Sequence, residues 1–580
     1  MSDLPKKAWQ TLRQEGLGAA IGKCRSLVSR HRYDRDYRDW IEKYERLTAD
    51  EVEAVRAKID ELPRKPLISV LMPVYNVDAR WLRSAIDSVR EQIYTNWELC
   101  IADDHSSKPH IREILDDFSK KDPRIKVVYR TDNGHISAAS NSALEIVTGD
   151  LTALMDHDDL LAPLALYFVA KEINEFPDAA IFYSDEDKIS VDGRRFAPTF
   201  KSDWAPDLMN SFNLFTHLIV YRTSSIKACG FRSEFDGSQD YDLALRAIDK
   251  VAAENIRHIP RILYHWRAVP GSVALDADEK SYAHDRARWA ITENLRNKGI
   301  AGTAERGISE THRIKYALPD PKPMVSIVVV DVNSDLGDLR QTLSNELGDY
   351  PHEIILVTDS EDERFSDKTI QIPRSGHGIL ADMNAGAAAA IGSVLLFLDD
   401  TTVAASRDSF IEMIGLAIQP ETGSVGAKVL YPDKTVKFAG FVIGYRGGIG
   451  RVHHNLPSSR LGHSYRLAVI QNVSAVSAGG LMIRRSVFES VGGFGSDSLP
   501  NNYGDIDLCC RLLQHGYRNI WTPWAEIVQA GKPNPEAIAE LEQLKLRCPD
   551  IFKNDPYYNP NLSLETEDLA LARPPRLDKY

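Results

Sequence analysis

The sequence contains few cysteines and no long apolar run. Its 580 residues include six cysteines, and none of them forms a CxxC pair or the Cys/His spacing of a zinc site. This argues against a disulfide framework or a zinc module and favours a reduced, cytoplasmic protein. No apolar stretch approaches the roughly 18 residues that span a bilayer, and the N-terminus lacks the compact apolar segment of a secretory signal. We therefore expect any membrane contact to be peripheral.

Nucleotide-binding loops of the glycine-rich kind are also missing. No GxxxxGK[ST] motif occurs, which argues against a nucleotide hydrolase of the P-loop class. The run GYRGGIG at 444–450 lacks the GxGxxG spacing of a dinucleotide site, so we interpret it as a loop. A sugar nucleotidyltransferase is disfavoured because the basic, glycine-rich triphosphate loop that it needs is not found.

The net charge is unevenly distributed. The formal charge of −13 argues against nucleic acid as a partner, because phosphate binding needs a basic surface. Residues 1–32 are the exception, with seven basic and two acidic side chains. Apolar positions at helical spacing predict a helix over 5–32. It either lies on the anionic inner face of the cell membrane or packs on the protein itself, and both interpretations stay open.

From Pro66 onward the pattern is that of an α/β protein with a mostly parallel sheet. A polar helix is predicted over 34–62, and short apolar strands then alternate with helices. After the Pro-rich stretch 317–323 the same succession returns, and VSIVVVDVN (325–333), for example, echoes ISVLMPVYN (68–76). Five such landmarks recur in the same order, which indicates an internal duplication. The predicted regions are an N-terminal helical region (1–65), a first domain (66–318), a second domain (319–532) and a C-terminal helix and tail (533–580).

Acidic residues follow several of the predicted strands in the first half. Ligands of open α/β sheets collect beyond the carboxyl ends of the strands, where Asn76, Asp104, Asp156 and Asp158 stand. Carboxylates that converge there repel one another unless a cation or a ligand donor lies among them. In MDHDDLL, Asp156 and Asp158 alternate along an extended segment and face the same side. Paired carboxylates near a diphosphate suit Mg²⁺ or Mn²⁺.

Two further motifs contain candidates for acid–base chemistry and for metal binding. In GSQDYDLALR, Asp240 stands where a loop enters a helix, and it serves either as a helix cap or as a general base toward an acceptor hydroxyl. In LYHWR, His265 at a strand end is either a metal ligand or a structural histidine.

The ordered motifs MPVYN, IADDHSS, GHISAASNSAL, MDHDDLL, YSDEDK, GSQDYDLALR and LYHWR resemble the family-2 glycosyltransferases with the GT-A nucleotide-sugar fold. The resemblance covers about residues 66–275 and, more weakly, 324–530. It implies two tandem GT-A-type domains after an N-terminal helical segment. It also implies an inverting transfer in which Asp240 is the base and Asp156, Asp158 and His265 hold the metal. The implied nucleotide-sugar contacts in the first half are Pro73, Tyr75, Asn76, Asp104, Asn141 and Asp156.

The segments YSDEDK (183–188) and FKSDWAPDLM (200–209) resemble stretches of bacterial surface-polysaccharide transferases that flank the donor and acceptor cleft. This resemblance makes Asp185, Asp187 and Trp204 candidates for contacts to the acceptor or the sugar. Trp204 either stacks on a sugar face or fills the core.

The second half departs from the family pattern at two positions. Thr401 stands where the first half has Asp158, and Gln529 stands where many relatives carry a histidine. The residues that persist predict donor contacts at Asp359, Asn384 and Asp399, a metal contact at Asp400 and a base at Asp505. The second half is therefore either a second transferase or a non-catalytic domain that binds glycan.

The function expected from the resemblance is sugar transfer from a nucleotide sugar, dependent on Mg²⁺ or Mn²⁺. The acceptor would be a growing, lipid-linked glycan of a bacterial surface polysaccharide such as O-antigen or capsule. The alternative function, outside the enzymes, is that of a glycan-binding scaffold that catalyses no reaction.

Overall fold

The structure is a computed structural model that describes residues 33–269, 281–309, 311–332, 336–359, 369–406, 408–497, 499–531 and 537–580. The helix predicted over 5–32, and with it the predicted membrane contact, lies outside these residues. Among the described residues, no helix combines the length and the apolar character needed to cross a membrane.

The N-terminal region forms two helices where the sequence predicted one over 34–62. Helix α1 spans 33–44 and helix α2 spans Ala49–Glu61. Thr48 separates them because it is the N-cap of α2: its hydroxyl accepts from the amide of Glu51, and the Glu51 carboxylate accepts from the amide of Thr48 at 2.8 Å. This capping box satisfies amide groups that a helix start would otherwise leave unpaired.

The first half is built on a nine-stranded mixed sheet with the strand order β3-β2-β1-β4-β8-β6-β9-β5 and with β7 paired to β6. The strands are β1 Ile68–Val74, β2 Trp97–Asp103, β3 Ile125–Tyr129, β4 Leu151–Leu154, β5 Leu160–Leu161, β6 Ile181–Ser190, β7 Arg195–Thr199, β8 Ile219–Arg222 and β9 Ile256–Ala268. The helices between them are α3 Ala79–Arg90, α4 Pro109–Lys121, α5 His135–Glu145, α6 Ala165–Glu175, α7 Pro206–Ser211, α8 Thr223–Cys229 and α9 Gln239–Ile248. The first four strands in this order run parallel, and β8 runs antiparallel to β4.

Helix α10 (Ser281–Asn297) and the antiparallel hairpin of β10 (Gly302–Arg306) and β11 (His312–Tyr316) connect the two halves. The second sheet comprises β12 Val325–Val330, β13 His352–Val357, β14 Thr369–Ile372, β15 Val394–Asp399, β16 Thr402–Ala405, β17 Thr422–Leu430, β18 Val436–Phe438, β21 Gln471–Asn472, β22 Gly480–Arg484 and β23 Arg518–Gln529. A separate hairpin consists of β19 Phe441–Tyr445 and β20 Gly448–Arg451. The helices of this half are α11 Gly337–Leu347, α12 Ile379–Ala389, α13 Ser409–Ala417, α14 Arg485–Ser490 and α15 Gly504–Gln514, followed by α16 Ile538–Arg547 and α17 Pro549–Lys553.

The second sheet repeats the strand order of the first. Its order is β14-β13-β12-β15-β22-β17-β23-β16, with β18 on β17 as β7 is on β6. The parallel and antiparallel pairs also correspond, because β15 and β22 are antiparallel in the way that β4 and β8 are. The predicted α/β class and the predicted duplication are thus confirmed. The two sheets span residues 68–268 and 325–529, whereas the domain boundaries at 66, 319 and 533 stay a prediction.

A buried polar contact joins the two halves at Asp207, near the start of α7. Its carboxylate accepts from the Arg518 guanidinium at 2.9 Å and from the Asn472 amide at 2.7 Å. The Asn472 oxygen in turn accepts from the backbone amide of Asp207 at 3.0 Å. Because Asp207 is only 6% exposed, these donors replace the water that its charge would otherwise need.

The C-terminal tail returns to the first half and ends in a network around Asp185. The Asp185 carboxylate is 0% exposed and accepts from the side-chain amide of Asn559 at 2.9 Å and of Asn561 at 3.3 Å. It also accepts from the amide of Lys201 at 2.8 Å and contacts His258 Nε2 at 3.0 Å. The tail therefore supplies amide donors to a charge buried in the first sheet.

We expect Asn559→Ala to lower the free energy of unfolding by about 1–3 kcal/mol, because it leaves the buried Asp185 carboxylate short of donors. A lower melting temperature in differential scanning fluorimetry would show this. The matched control is Asn554→Ala, since Asn554 is an exposed residue shortly before the tail network. Equal melting temperatures for the two variants would contradict this role of the tail.

Candidate functional site

A cleft of about 930 Å³ opens beyond the carboxyl ends of β1, β2 and β4. The parallel strands end with polar residues at this edge of the first sheet, and helices α5 and α9 begin there. The cleft is lined on the strand side and on the helix side by residues that include Pro73, Tyr75, Asp104, His135, Asp156, His157, Asn213, His217, Asp240, Trp266, Tyr282 and Arg286. Its volume lies within the range of ligand sites.

Pro73, Tyr75 and Asp104 form one wall of the cleft. The Tyr75 ring is 48% exposed and offers an aromatic face to a ligand. Asp104 is buried, and its Oδ1 accepts from Arg130 Nε at 2.8 Å and from the amide of Gly134 at 2.9 Å. These bonds fix the carboxylate at the end of β2.

Asn76 and Asn141 do not line the cleft. The Asn76 side-chain oxygen accepts from the backbone amides of Ser107 and Lys108 at 3.0 and 3.1 Å and so orders the entry to α4. Asn141 makes a two-way pair with the backbone of Phe231, accepting from its N–H and donating to its C=O, both at 2.9 Å. Both amides are engaged with the protein backbone.

Asp156, Asp159 and His217 bring two carboxylates and an imidazole together, with ligand atoms within 4.8 Å of one another. The Asp156 side chain is 47% exposed, and its Oδ2 lies 3.9 Å from His217 Nε2. Asp159 lies behind them, since its oxygens accept from Tyr264 Oη at 2.7 Å and from the amide of Arg267 at 2.6 Å. Oxygen and imidazole donors suit Mn²⁺, and oxygen suits Mg²⁺. The residues present therefore fit a divalent cation, with Asp156 and His217 facing the cleft.

His217 is a site residue that the sequence reasoning missed. Burial alone lowers the pKa of His217, but its hydrogen bond to Glu186 (Nδ1 to Oε2, 3.0 Å) and the charges of Glu186, Asp159 and Asp156 raise it to about 9. Its ring stacks on Tyr264 with centroids 4.5 Å apart. The imidazole is thus a cation near neutral pH, and a metal that binds there displaces its proton.

Asp158 and His265, the other predicted metal residues, do not belong to this group. Burial raises the pKa of Asp158, with the negative charge of Asp156 adding to the effect. His265 Nδ1 lies 2.6 Å from Asp187 Oδ1. The structure thus places Asp156 on the cleft surface and Asp158 and His265 beside it.

Asp185, Asp187 and Trp204 also lie outside the cleft lining. The carboxylate of Asp187 is 0% exposed and accepts from Tyr37 Oη at 2.6 Å and from Arg195 Nε at 2.5 Å. Asp185 is the centre of the tail network. The Trp204 ring packs against Phe215 with centroids 5.5 Å apart. The contacts of these three side chains are internal.

Asp240 lies in the first turn of α9 and on the cleft surface. Burial raises the pKa of the Asp240 carboxyl, and Asp156 adds to this while the charge of His217 opposes it. Its Oδ2 accepts from the Asn213 side chain at 3.0 Å. Two residues on, the buried Asp242 pairs with Arg246 at 2.7 Å and with Arg232, and these ion pairs hold α9 in position.

The second sheet carries a smaller cleft of about 340 Å³ at the equivalent edge. Asp399, Asp400 and Asp505 line it together with Lys437, Arg451 and Gln529. Thr401 donates to Asp399 Oδ1 through its backbone N–H at 2.8 Å and through its hydroxyl. The amide of Val332 donates to Asp400 Oδ2 at 2.8 Å.

Asp505 occupies the position of Asp240, in the first turn of α15. Burial raises the pKa of its carboxyl, and the oxygens accept from the amides of Ala478 at 3.0 Å and Ile506 at 2.9 Å. Asp507 repeats the role of Asp242, pairing with Arg511 and Arg547 at 2.8 Å.

Asp359 and Asn384, two predicted donor contacts, do not line this cleft. Asp359 is exposed, and its Oδ1 accepts from the amide of Arg374 at 3.2 Å. Asn384 pairs with the backbone of Phe494 at 2.9 Å in both directions, as Asn141 does with Phe231. The duplicated fold has kept this backbone contact.

Comparison with known proteins agrees with this geometry. Residues 69–232 match Glycosyl transferase family 2. EpsE of Bacillus subtilis (strain 168) is 31% identical over 194 residues, which are 32% of this chain and 68% of EpsE. The O-antigen biosynthesis protein RfbC of Myxococcus xanthus is 32% identical over 552 residues, and the match covers 90% of this chain and 42% of RfbC. The protein y4gI of Sinorhizobium fredii (strain NBRC 101917 / NGR234) is 39% identical over 554 residues, covering 90% of this chain and 61% of y4gI.

Part of the cleft lining, including Pro73, Asp104 and Asp156, lies within the residues that match this family. The chain belongs to glycosyl transferase family 2. It spans less than two thirds of the length of y4gI and of RfbC.

We expect Asp156→Ala and His217→Ala each to weaken the Mn²⁺-dependent binding of a nucleoside diphosphate by at least about tenfold, because each removes a group that holds the cation. Isothermal titration calorimetry with and without Mn²⁺ measures the effect. Asp158→Ala tests the assignment made from the sequence, and Asp178→Ala, at an exposed aspartate away from the cleft, is the control. Unchanged affinity in both Asp156→Ala and His217→Ala would rule out a metal site at these two residues, and a loss in Asp158→Ala would support the assignment made from the sequence.

Proposed function

We propose that the first cleft transfers a sugar from a nucleotide sugar to a growing bacterial polysaccharide with inversion at the anomeric carbon. The observation that carries this proposal is the position of Asp240: a half-buried carboxylate of raised pKa on the surface of the same cleft as Asp156 and His217. A transferase that inverts in one displacement needs one base on the acceptor side and charge stabilisation on the leaving-group side. The cleft offers both.

The donor is proposed to lie along the strand-end wall. Tyr75 provides a face for the nucleobase, and Asp104 is oriented to accept from a base N–H. Asp156 and His217 would hold Mg²⁺ or Mn²⁺, which when bound neutralises charge on the departing diphosphate. Asp156 and His217 thus mark the end of the cleft where the nucleotide leaves.

Asp240 is proposed to accept the proton of the acceptor hydroxyl. Its raised pKa brings the carboxylate closer to the basicity that a general base needs near neutral pH. Asn213 donates to Oδ2 and fixes the carboxylate on the cleft surface. Tyr282, which is 50% exposed and lines the cleft, offers an aromatic face to an acceptor sugar.

The acceptor is proposed to be a lipid-linked glycan of a surface polysaccharide. The match to RfbC, an O-antigen biosynthesis protein, supports this class of product. Such an acceptor would place the enzyme in the cytoplasm at the inner face of the membrane, where residues 5–32 are proposed to make the contact.

We expect Asp240→Asn to lower kcat by about 10²–10⁴-fold, because the amide keeps the shape but does not accept the proton. Nucleoside diphosphate binding should persist, which calorimetry checks. The control is Glu234→Gln, the same carboxylate-to-amide change at an exposed residue just before the cleft. In the wild type, activity should fall as the pH falls through the raised pKa of Asp240, since only the carboxylate is a base. A near-normal rate in Asp240→Asn would eliminate this base.

A second transferase in the second half is the further proposal, and the position of Asp505 favours it. Asp505 lies in the first turn of its helix as Asp240 does, and its half-buried carboxyl of raised pKa lines its own cleft. Two sites on one chain raise the local concentration of each intermediate for the other. The alternative is that this half binds glycan and only the first half catalyses.

If both halves transfer sugars, we expect Asp240→Asn and Asp505→Asn to stop elongation of a defined acceptor after different sugars. Mass spectrometry of the products reads this directly, and mixing the two variants should restore elongation. A wild-type product formed at the wild-type rate by Asp505→Asn would show that the second half does not catalyse.

A further inference from the structure

The second cleft contains two cations that lack a carboxylate partner. Lys437 on β18 is only 2% exposed, and its Nζ donates to Gln529 Oε1 at 3.0 Å. Arg451, at the end of β20, has a buried Nη1 that finds no hydrogen-bond partner among the residues that the structure describes. Neither side chain forms an ion pair with any residue of the described ranges. Buried charges are ordinarily paired, so this arrangement calls for an anion.

The equivalent strand of the first half shows the contrast. Arg195 on β7 is neutralised by Asp187 at 2.5 Å and by Glu45 at 2.6 Å. Strand β18 pairs with β17 as β7 pairs with β6, yet Lys437 points its charge toward the cleft. The two cations stand at different register positions of these strands: Arg195 is paired inside the first half, whereas Lys437 lines the second cleft.

The acidic side chains of the second cleft have donors of their own. Asp399 accepts from Thr401, Asp400 from Val332 and Asp505 from Ala478. Glu567 accepts from the backbone amide of Arg451 at 3.0 Å and lies 3.6 Å from His454. Lys437 and Arg451 therefore stay available to a ligand.

A divalent cation is disfavoured at this place. Lys437, Arg451 and Asp399 line the same cleft. Burial lowers the pKa of Lys437, the charge of Asp399 opposes this effect, and the positive charge of Arg451 adds to it. A divalent ion at Asp399 would face two positive charges in a partly dehydrated cleft, where repulsion is strong. An ammonium and a guanidinium can bind diphosphate oxygens directly.

We propose that the second cleft binds the diphosphate of a nucleotide directly on Lys437 and Arg451, without a divalent cation. The proposal rests on the proposed function of this half as a nucleotide-sugar site. It adds which residues neutralise the negative charge of the diphosphate. The two halves would then differ in metal requirement: Asp156 and His217 would hold a cation in the first, whereas Lys437 and Arg451 would supply the positive charge in the second.

The test is calorimetry on the full chain in excess EDTA, titrated with UDP, GDP, dTDP, ADP, CDP, inorganic pyrophosphate and glucuronate. We expect at least one nucleoside diphosphate to bind with one saturable site in EDTA, and Asp156→Ala to leave that affinity unchanged. Lys437→Met and Arg451→Gln should each weaken it at least about tenfold, whereas Lys437→Arg should retain most of it. Lys434→Met, at an exposed lysine of the same hairpin, is the matched control.

The proposal would be overturned if no nucleotide and no pyrophosphate bound in EDTA, or if Lys437→Met bound with the same affinity as the wild type. A preference for glucuronate would also overturn it, because the site would then be one for acidic sugars. Melting temperatures identify a variant that has lost its fold. If Lys437→Met is such a variant, the affinity of Arg451→Gln decides whether the proposal holds. Repeating the titrations with Mn²⁺ reports on the first cleft. Failure in EDTA with Mn²⁺-dependent binding intact would therefore leave the proposed function of the first half standing.

Discussion

A buried carboxylate needs hydrogen-bond donors from the protein itself. This constraint divides the acidic residues into those with internal partners and those that line a cleft. Asp185, Asp187 and Asp242 are buried with internal partners, and they hold the tail, the N-terminal helices and helix α9 in place. Asp156 and Asp240 stand on the cleft surface instead. The paired carboxylates therefore stabilise the fold around the cleft, whereas Asp156 and Asp240 are on the surface that a ligand in the cleft can reach.

The duplication has preserved this frame more closely than the cleft. Asn141 and Asn384 make the same two-way backbone pair, and Asp242 and Asp507 anchor equivalent helices with arginines. At the second cleft, by contrast, Thr401 stands where the first half has Asp158, and it donates a hydrogen bond to Asp399. Contacts that maintain the fold are constrained by packing in both copies, whereas residues that contact a ligand can change when the ligand differs. The two clefts are thus free to differ in what they bind while their sheets remain alike.

The sequence predicts the parts of this structure that local pattern controls. Apolar runs predict the strands, and the strand-end rule predicts the positions of Asp104 and Asp156, which line the cleft. That rule considers only the carboxyl ends of parallel strands, so it missed His217, which precedes β8. Because β8 runs antiparallel to β4, the start of β8 lies at the same edge. The partner of Asp185 in the tail could not be predicted, because Asn559 is 374 residues away, beyond the reach of any local motif.

The halves are also coupled, which bears on how two transfers would work together. The buried Asp207–Arg518 pair crosses between them, and the tail that follows the second half inserts Asn559 and Asn561 into the first. Separating the halves would expose these groups or leave a buried charge unpaired, which is costly. Their relative position is therefore held by polar contacts as well as by apolar packing. If both clefts act on one glycan, as proposed, the glycan meets them at a fixed separation. Tethering of this kind increases the encounter rate only when the geometry permits both sites to be reached.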